Sequence, residues 1–194
     1  MTQDLRITKG NETKDRILTA SMKIISEEGI EGLSAKKIAD LLGISKSNIF
    51  HHFGSVDEVL NVLFKSILTN LVEPVKSQQG PDLESFLFFL GESIYSLSDE
   101  EKLSYSVLLN FYNTCLYNEK YRGYLLQAKD EMIDAISTQL SQYSSLRKEK
   151  LLEISEMIIM TLDGYGLHFL LESDIVAFKK MWTLQVEAWQ SLLK

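Results

Sequence analysis

Ser34-Ala35-Lys36-Lys37-Ile38-Ala39-Asp40-Leu41-Leu42-Gly43-Ile44-Ser45-Lys46-Ser47-Asn48-Ile49-Phe50-His51-His52-Phe53 reads as a helix, a tight turn and a second short helix. Ser34 is placed to cap the first helix by accepting a free backbone N–H. Ile38, Ala39, Leu41 and Leu42 give that helix an apolar side. Gly43 supplies the left-handed residue that ends it. Ile44 follows as an anchor, and Ser45 caps the second helix. Ile49 and Phe53, four apart, face inward. Lys46, Ser47, Asn48, Phe50 and His51 are left to look outward. Such a face, carried on a helix braced by another, suits the DNA major groove. There Asn48 pairs with adenine, Lys46 reaches guanine or phosphate, and Phe50 meets a thymine methyl. His52, beside Phe53, reads equally as a packing residue.

The surrounding chain is helical throughout. Its 194 residues are 45% hydrophobic, enough for a sizeable core, and only two prolines and ten glycines interrupt it. No segment alternates like a strand, so the expected fold is all-α with about nine helices. Residues 1–10 read as a flexible arm; a disordered polar terminus is the preferred account of it, with a phosphate or minor-groove contact from Arg6 and Lys9 as the alternative. A first helix over 11–28 buries Ile17, Ala20, Ser21, Ile24 and Ile25, and Gly29 ends it. A fourth helix, 55–77, opens with a Ser55-Glu58 capping box and reaches Pro74, which ends or kinks it. Further helices are expected over 82–97, 98–117, 118–143, 146–171 and 174–193, the last capped by Ser173.

Net charge is −7, which by itself disfavours a nucleic-acid partner. The distribution softens this. Residues 1–60 hold eight Lys/Arg and nine Asp/Glu, and the rest hold twelve and eighteen. Lys36, Lys37 and Lys46 cluster at the motif, so non-specific affinity is expected to be modest and salt-dependent. The lone Cys115 excludes an internal disulfide. No signal peptide or membrane span is legible, and the expected location is cytoplasmic. The three histidines, His51, His52 and His168, form no metal spacing, and no nucleophile elbow or phosphate-cradling loop is present. No enzyme, metal site or cofactor is expected.

The motif and its flanks resemble the TetR family of transcriptional regulators. The resemblance covers residues 13–60 without gaps. It runs through Thr13-Lys14-Asp15-Arg16-Ile17-Leu18, Glu28-Gly29-Ile30-Glu31-Gly32-Leu33-Ser34, Lys37-Ile38-Ala39-Asp40, Gly43-Ile44-Ser45-Lys46 and Ile49-Phe50-His51-His52-Phe53-Gly54-Ser55. The chain departs from the family's commoner residues at Ser47-Asn48, at Phe50 in place of Tyr and at Val56 in place of Lys. The Tyr hydroxyl and Lys amine thus lost are two phosphate contacts of relatives. The resemblance implies a three-helix DNA-binding domain over 11–54 and an effector-binding and dimerisation domain over 55–194, with the fourth helix as connector. It also implies phosphate contacts from Ser34, Lys36 and Lys37, with Ser45 completing the DNA-facing set.

Two further sites follow as expectations. Phe86, Phe89, Tyr95, Tyr105, Phe111, Tyr112, Cys115, Tyr124 and Tyr165 are candidates to line an aromatic effector pocket. Each taken singly is also an ordinary core residue, and the resemblance to ligand-gated repressors is what implies the pocket. The last two helices are apolar on more than one side. Leu151, Ile154, Ile158, Leu162, Phe178, Trp182, Val186 and Trp189 are candidates for a two-fold four-helix interface like the family's dimer, with a monomer core as the alternative. The expected function is a homodimeric repressor on a palindromic DNA operator, released by a small-molecule effector. The alternative is a helical small-molecule-binding or protein-interaction module without DNA binding.

Overall fold

Every helix expected from the apolar spacing is present in the computed structural model, which describes the backbone of residues 2–194 and the side chains from Asn11 onward. Among these residues the chain forms nine α-helices and one 3-10 turn, with no strand. The helices are α1 (Thr2–Glu28), α2 (Ala35–Leu42), α3 (Lys46–Phe53), α4 (Val56–Ser77) and α5 (Leu83–Tyr95), followed by α6 (Asp99–Cys115), α7 (Glu119–Leu140), α8 (Lys148–Glu172) and α9 (Ile175–Leu192). None is long and apolar enough to cross a membrane. α1 continues unbroken through Gly10, where a boundary near Asn11 was expected. The side chains of Arg6 and Lys9 lie outside the described residues.

The chain divides into two compact units. The first comprises residues up to Ile67 together with Leu103–Asn118. Its core is Ile17, Ile25, Ile38, Ile49, Val59, Phe64, Val107 and Phe111, all fully buried. Ser21, in the α1 stripe, is buried too, and its hydroxyl donates to the Ile17 carbonyl. α6 packs here through Phe111, whose ring stacks on Phe64 with centroids 4.2 Å apart. Its position after the fourth helix in sequence had grouped it with the effector domain. The Phe64–Phe111 stack shows instead that its apolar side completes the core of the first unit.

The second unit comprises Leu68–Lys102 and Glu119–Lys194. α5 packs against both α8 and α9, and α7 packs against α8. The Trp182 indole N–H donates to the Leu87 carbonyl at 3.0 Å. That approach needs Gly91: a Cβ there would lie 2.2 Å from Trp182 Nε1. Tyr165, Phe178, Trp182 and Trp189 then meet edge to face, with centroids 5.2–5.6 Å apart.

This packing corrects the expected interface. Leu151, Ile154, Ile158, Phe178, Trp182, Val186 and Trp189 are buried in the core of their own chain, and Leu162 packs against it. Seated there, the seven buried side chains are covered by their own chain, while Leu162 stays partly exposed. The solvent side of the same two helices carries Met157, Met160, Leu167 and Leu171 on α8, and Ile175, Val176, Met181, Leu184 and Leu192 on α9.

Helix ends follow local chemistry. Ser98 and Glu101 form a reciprocal capping box: the Glu101 N–H donates to the Ser98 hydroxyl, and the Ser98 N–H donates to the Glu101 carboxylate. At α4 only half of the expected box forms. The Glu58 N–H donates to Ser55, but the Glu58 carboxylate accepts from the Asn61 amide instead. Pro74 lies inside α4, which continues to Ser77. Gln139 donates to the Val75 carbonyl there, and the Ser77 hydroxyl donates to that of Glu73. Ser173 does not cap α9. It closes α8 in the left-handed conformation, φ 54°, while Asp174 caps α9 by accepting from the Ala177 N–H.

Candidate nucleic-acid interface

The first unit builds its outward face from the α2–turn–α3 segment. Ser34 accepts from the Lys37 N–H at 3.3 Å and opens α2. Gly43 takes φ 66° and ends it, as the sequence required. The Ile44 N–H returns to the Ala39 carbonyl at 3.1 Å. Ser45 opens α3 by accepting from the Asn48 N–H, and its hydroxyl also lies 2.8 Å from that of Ser47. Arg16 on α1 reaches the Leu42 carbonyl at the end of α2, where a cation suits the helix dipole.

Burial separates the two sides of α3. Ile49 is 0% exposed and Phe53 is buried, whereas Phe50 is 45% exposed. Lys46, Ser47, Asn48 and His51 are exposed beside it. Five consecutive-turn side chains therefore stand clear on a helix locked from behind by two apolar anchors. Ser34 is half-buried, and Lys36, Lys37 and Ser45 are exposed. Lys36 and Lys46 make no ion pair among the described residues. Lys37 does: its ammonium pairs closely with the Glu28 carboxylate at the end of α1. That partner went unnoticed in the sequence. The only available signal was an acid nine residues ahead, across a turn containing Gly29 and Gly32.

His51 and His52 lie in the last turn of α3, with ring centroids 5.3 Å apart. His52 is half-buried. Burial, then the positive charges of His51 and Lys14, holds its imidazole below the usual histidine pKa. Among the described residues no group of acids, histidines and cysteine is arranged to hold a metal.

The candidate pocket residues do not fall in one unit. Tyr105, Phe111, Tyr112 and Cys115 belong to the first, and Phe86, Phe89, Tyr95, Tyr124 and Tyr165 to the second. Phe86, Tyr95, Phe111 and Cys115 are buried, and the other five are half-buried. Burial raises the phenol pKa of Tyr95, with Glu92 adding to it, and burial alone raises that of Tyr165. A cleft of about 380 Å³ in the second unit is lined by Leu83, Tyr143, Ser144, Ser145, Gln190, Leu193 and Lys194, none of them among the candidates.

Residues 17–63 match the model of the bacterial regulatory proteins of the tetR family. Over 162 residues the chain is 24% identical to an HTH-type transcriptional regulator in the dhlA 5′ region of Xanthobacter autotrophicus, covering 81% of this chain and 80% of that one. Over 159 residues it is 20% identical to IcaR of Staphylococcus aureus, the negative transcriptional regulator of the icaADBC biofilm operon, covering 79% and 82%. The crystal structure of a transcriptional regulator from Rhodococcus sp. superposes with a TM-score of 0.77 at 17% identity, covering 90% of this chain and 94% of that one. The matched segment spans the whole helix-turn-helix and the elements that brace it, and the shared fold extends over nearly all the remainder. Residues 17–63 thus carry the sequence pattern of the tetR family of bacterial regulatory proteins, and the chain shares its overall fold with the solved regulator.

Proposed function

We propose that this protein is a homodimeric repressor that binds a palindromic operator and is released by a small-molecule effector. The observation that carries the reading is the two-sidedness of α3. Ile49 and Phe53 fix the helix from behind, and Lys46, Ser47, Asn48, Phe50 and His51 stand exposed together in front. A short, rigidly held helix with such a face fits the major groove, where amide and ammonium groups meet base edges. Ser34, Lys36 and Ser45 flank it as backbone contacts, and Lys37 stands among them already paired with Glu28. IcaR, a negative regulator, supports repression over activation.

Two recognition helices on successive grooves need a two-fold partner. The exposed apolar residues of α8 and α9, Met160 and Leu184 among them, are the surface for that partner. The effector site belongs to the aromatic-rich helices. α4 is the element to transmit binding, since its residues divide between the two units at Ile67 and Leu68. An effector acts only through unequal affinity for the DNA-bound and released states.

The test is anisotropy titration of a labelled duplex from the region upstream of the protein's own gene, beside a random duplex, across a salt series. The reading expects tighter binding to the former, weakening of both with salt, and release by a compound that also raises the melting temperature. A protein that binds neither duplex at low salt is the non-DNA-binding helical module instead.

A further inference from the structure

Lys37 and Glu28 each stand at the wrong end of a helix. Lys37 lies in the first turn of α2, where the dipole disfavours a cation, and Glu28 is the last residue of α1, where it disfavours an anion. Neither charge serves its own helix. Each is neutralised by the other, in a close ion pair between side chains that are both 45% exposed. Exposed pairs of this kind add little to stability. The pair is nevertheless built. A Cβ at Gly32 would lie 2.5 Å from Glu28 Cβ, so the turn packs closely there, and 3.1 Å from the Oε2 that pairs with Lys37, so the carboxylate lies in space that Gly32 leaves open. Neighbouring Lys36 is exposed with no ion pair among the described residues.

From this we infer that Glu28 sets the DNA affinity of the head by occupying Lys37. The inference rests on the DNA-binding reading above. A phosphate oxygen that approaches Lys37 meets an ammonium already paired and a carboxylate beside it. Contact then requires displacing Glu28, and the carboxylate repels the phosphate meanwhile. Both effects act on the sugar-phosphate backbone, so they lower affinity for all sequences alike and leave discrimination to α3. Of the two adjacent lysines, Lys36 carries the backbone contact and Lys37 is held in reserve.

The full-length protein and its Glu28→Gln variant are titrated with the upstream and random duplexes across a salt series. Glu28→Gln should tighten both several-fold and steepen the slope of log affinity against log salt by about 0.9, the signature of one added phosphate contact. In a Lys37→Gln background, Glu28→Gln should have little effect. Lys37→Gln should cost more in the Glu28→Gln protein than in the parent. Glu27→Gln removes the same formal charge from an exposed neighbour and is the control. Glu28→Ala repeats the test should the amide find a new partner, and circular dichroism melts check that each variant is folded. No gain with either Glu28 variant, an equal gain with Glu27→Gln, or a gain that persists without Lys37 overturns the inference. Failure of the parent to bind either duplex overturns the DNA-binding reading instead, and the two failures are distinct.

Discussion

Asn48 and Lys36 both stand exposed on the proposed DNA face, and their chemistry gives them different work. A carboxamide can pair bidentately with adenine, so Asn48→Ala is expected to relax operator discrimination by about 1–3 kcal/mol. An ammonium on a flexible stem neutralises phosphate wherever it lies. Lys36→Ala is therefore expected to weaken operator and random duplex equally and to flatten the salt slope. Salt-dependent titration of both variants on both duplexes checks the division, and identical behaviour would sink it. His52 sets a pH dependence at the same scale. Its folded pKa lies below the ordinary 6.5, through burial and then the charges of His51 and Lys14. The unfolded chain therefore binds the proton more readily. The contribution of neutral His52 is complete above pH 6.5 and is lost as pH falls through that value toward the lowered folded pKa. Urea midpoints at pH near 7.5 and 5.5 should differ more for the parent than for His52→Gln. An unchanged difference would assign the pH response elsewhere.

Within one element, adjacent positions of α3 separate folding from recognition. Ile49 is fully buried, and Ile49→Ala should cost about 2–5 kcal/mol of stability through lost burial and the cavity left behind. Phe50, 45% exposed, leaves no such cavity. Phe50→Ala should leave the melting temperature nearly unchanged while weakening operator binding. Thermal melts beside DNA titration measure both, and a large stability loss for Phe50→Ala would show that it braces the head. The same contrast explains how far α3 was legible. Its caps, its inward pair and its outward set are all local, each decided within four residues. Ser45 caps it, Gly43 turns into it, and Ile49 and Phe53 lock it, as the spacing required. Ser173 and Asp174 were not separable in this way. Both are good caps in sequence, and only the backbone at φ 54° assigned Ser173 to the end of α8.

Across the whole molecule, α8 and α9 each have an apolar side turned inward and another turned to solvent. The proposed homodimer uses the second. Leu184→Glu and Met160→Glu should yield folded monomers, because both residues are exposed in the single chain. Trp182→Glu should unfold the protein instead. It would bury an unpaired charge beside Gly91 and remove the hydrogen bond to the Leu87 carbonyl. Light scattering and circular dichroism distinguish the cases. A parent that scatters as a monomer, or a dimer that survives both surface substitutions, would remove α8 and α9 as the interface.

The sequence by itself determined the all-α class, the helix-turn-helix and the exposed set on α3, because caps, glycine turns and helical spacing act over a few residues. Tertiary structure decided which apolar side faces inward wherever two were available. Trp182 turns in because an acceptor at Leu87 and a gap at Gly91 await it, and both lie more than ninety residues earlier in the chain. The placement of α6 beside Phe64 and the pairing of Lys37 with Glu28 were decided the same way. Hydrophobicity and charge state what a side chain needs. Which neighbour supplies it depends on how distant segments pack, and spacing along the chain does not encode that.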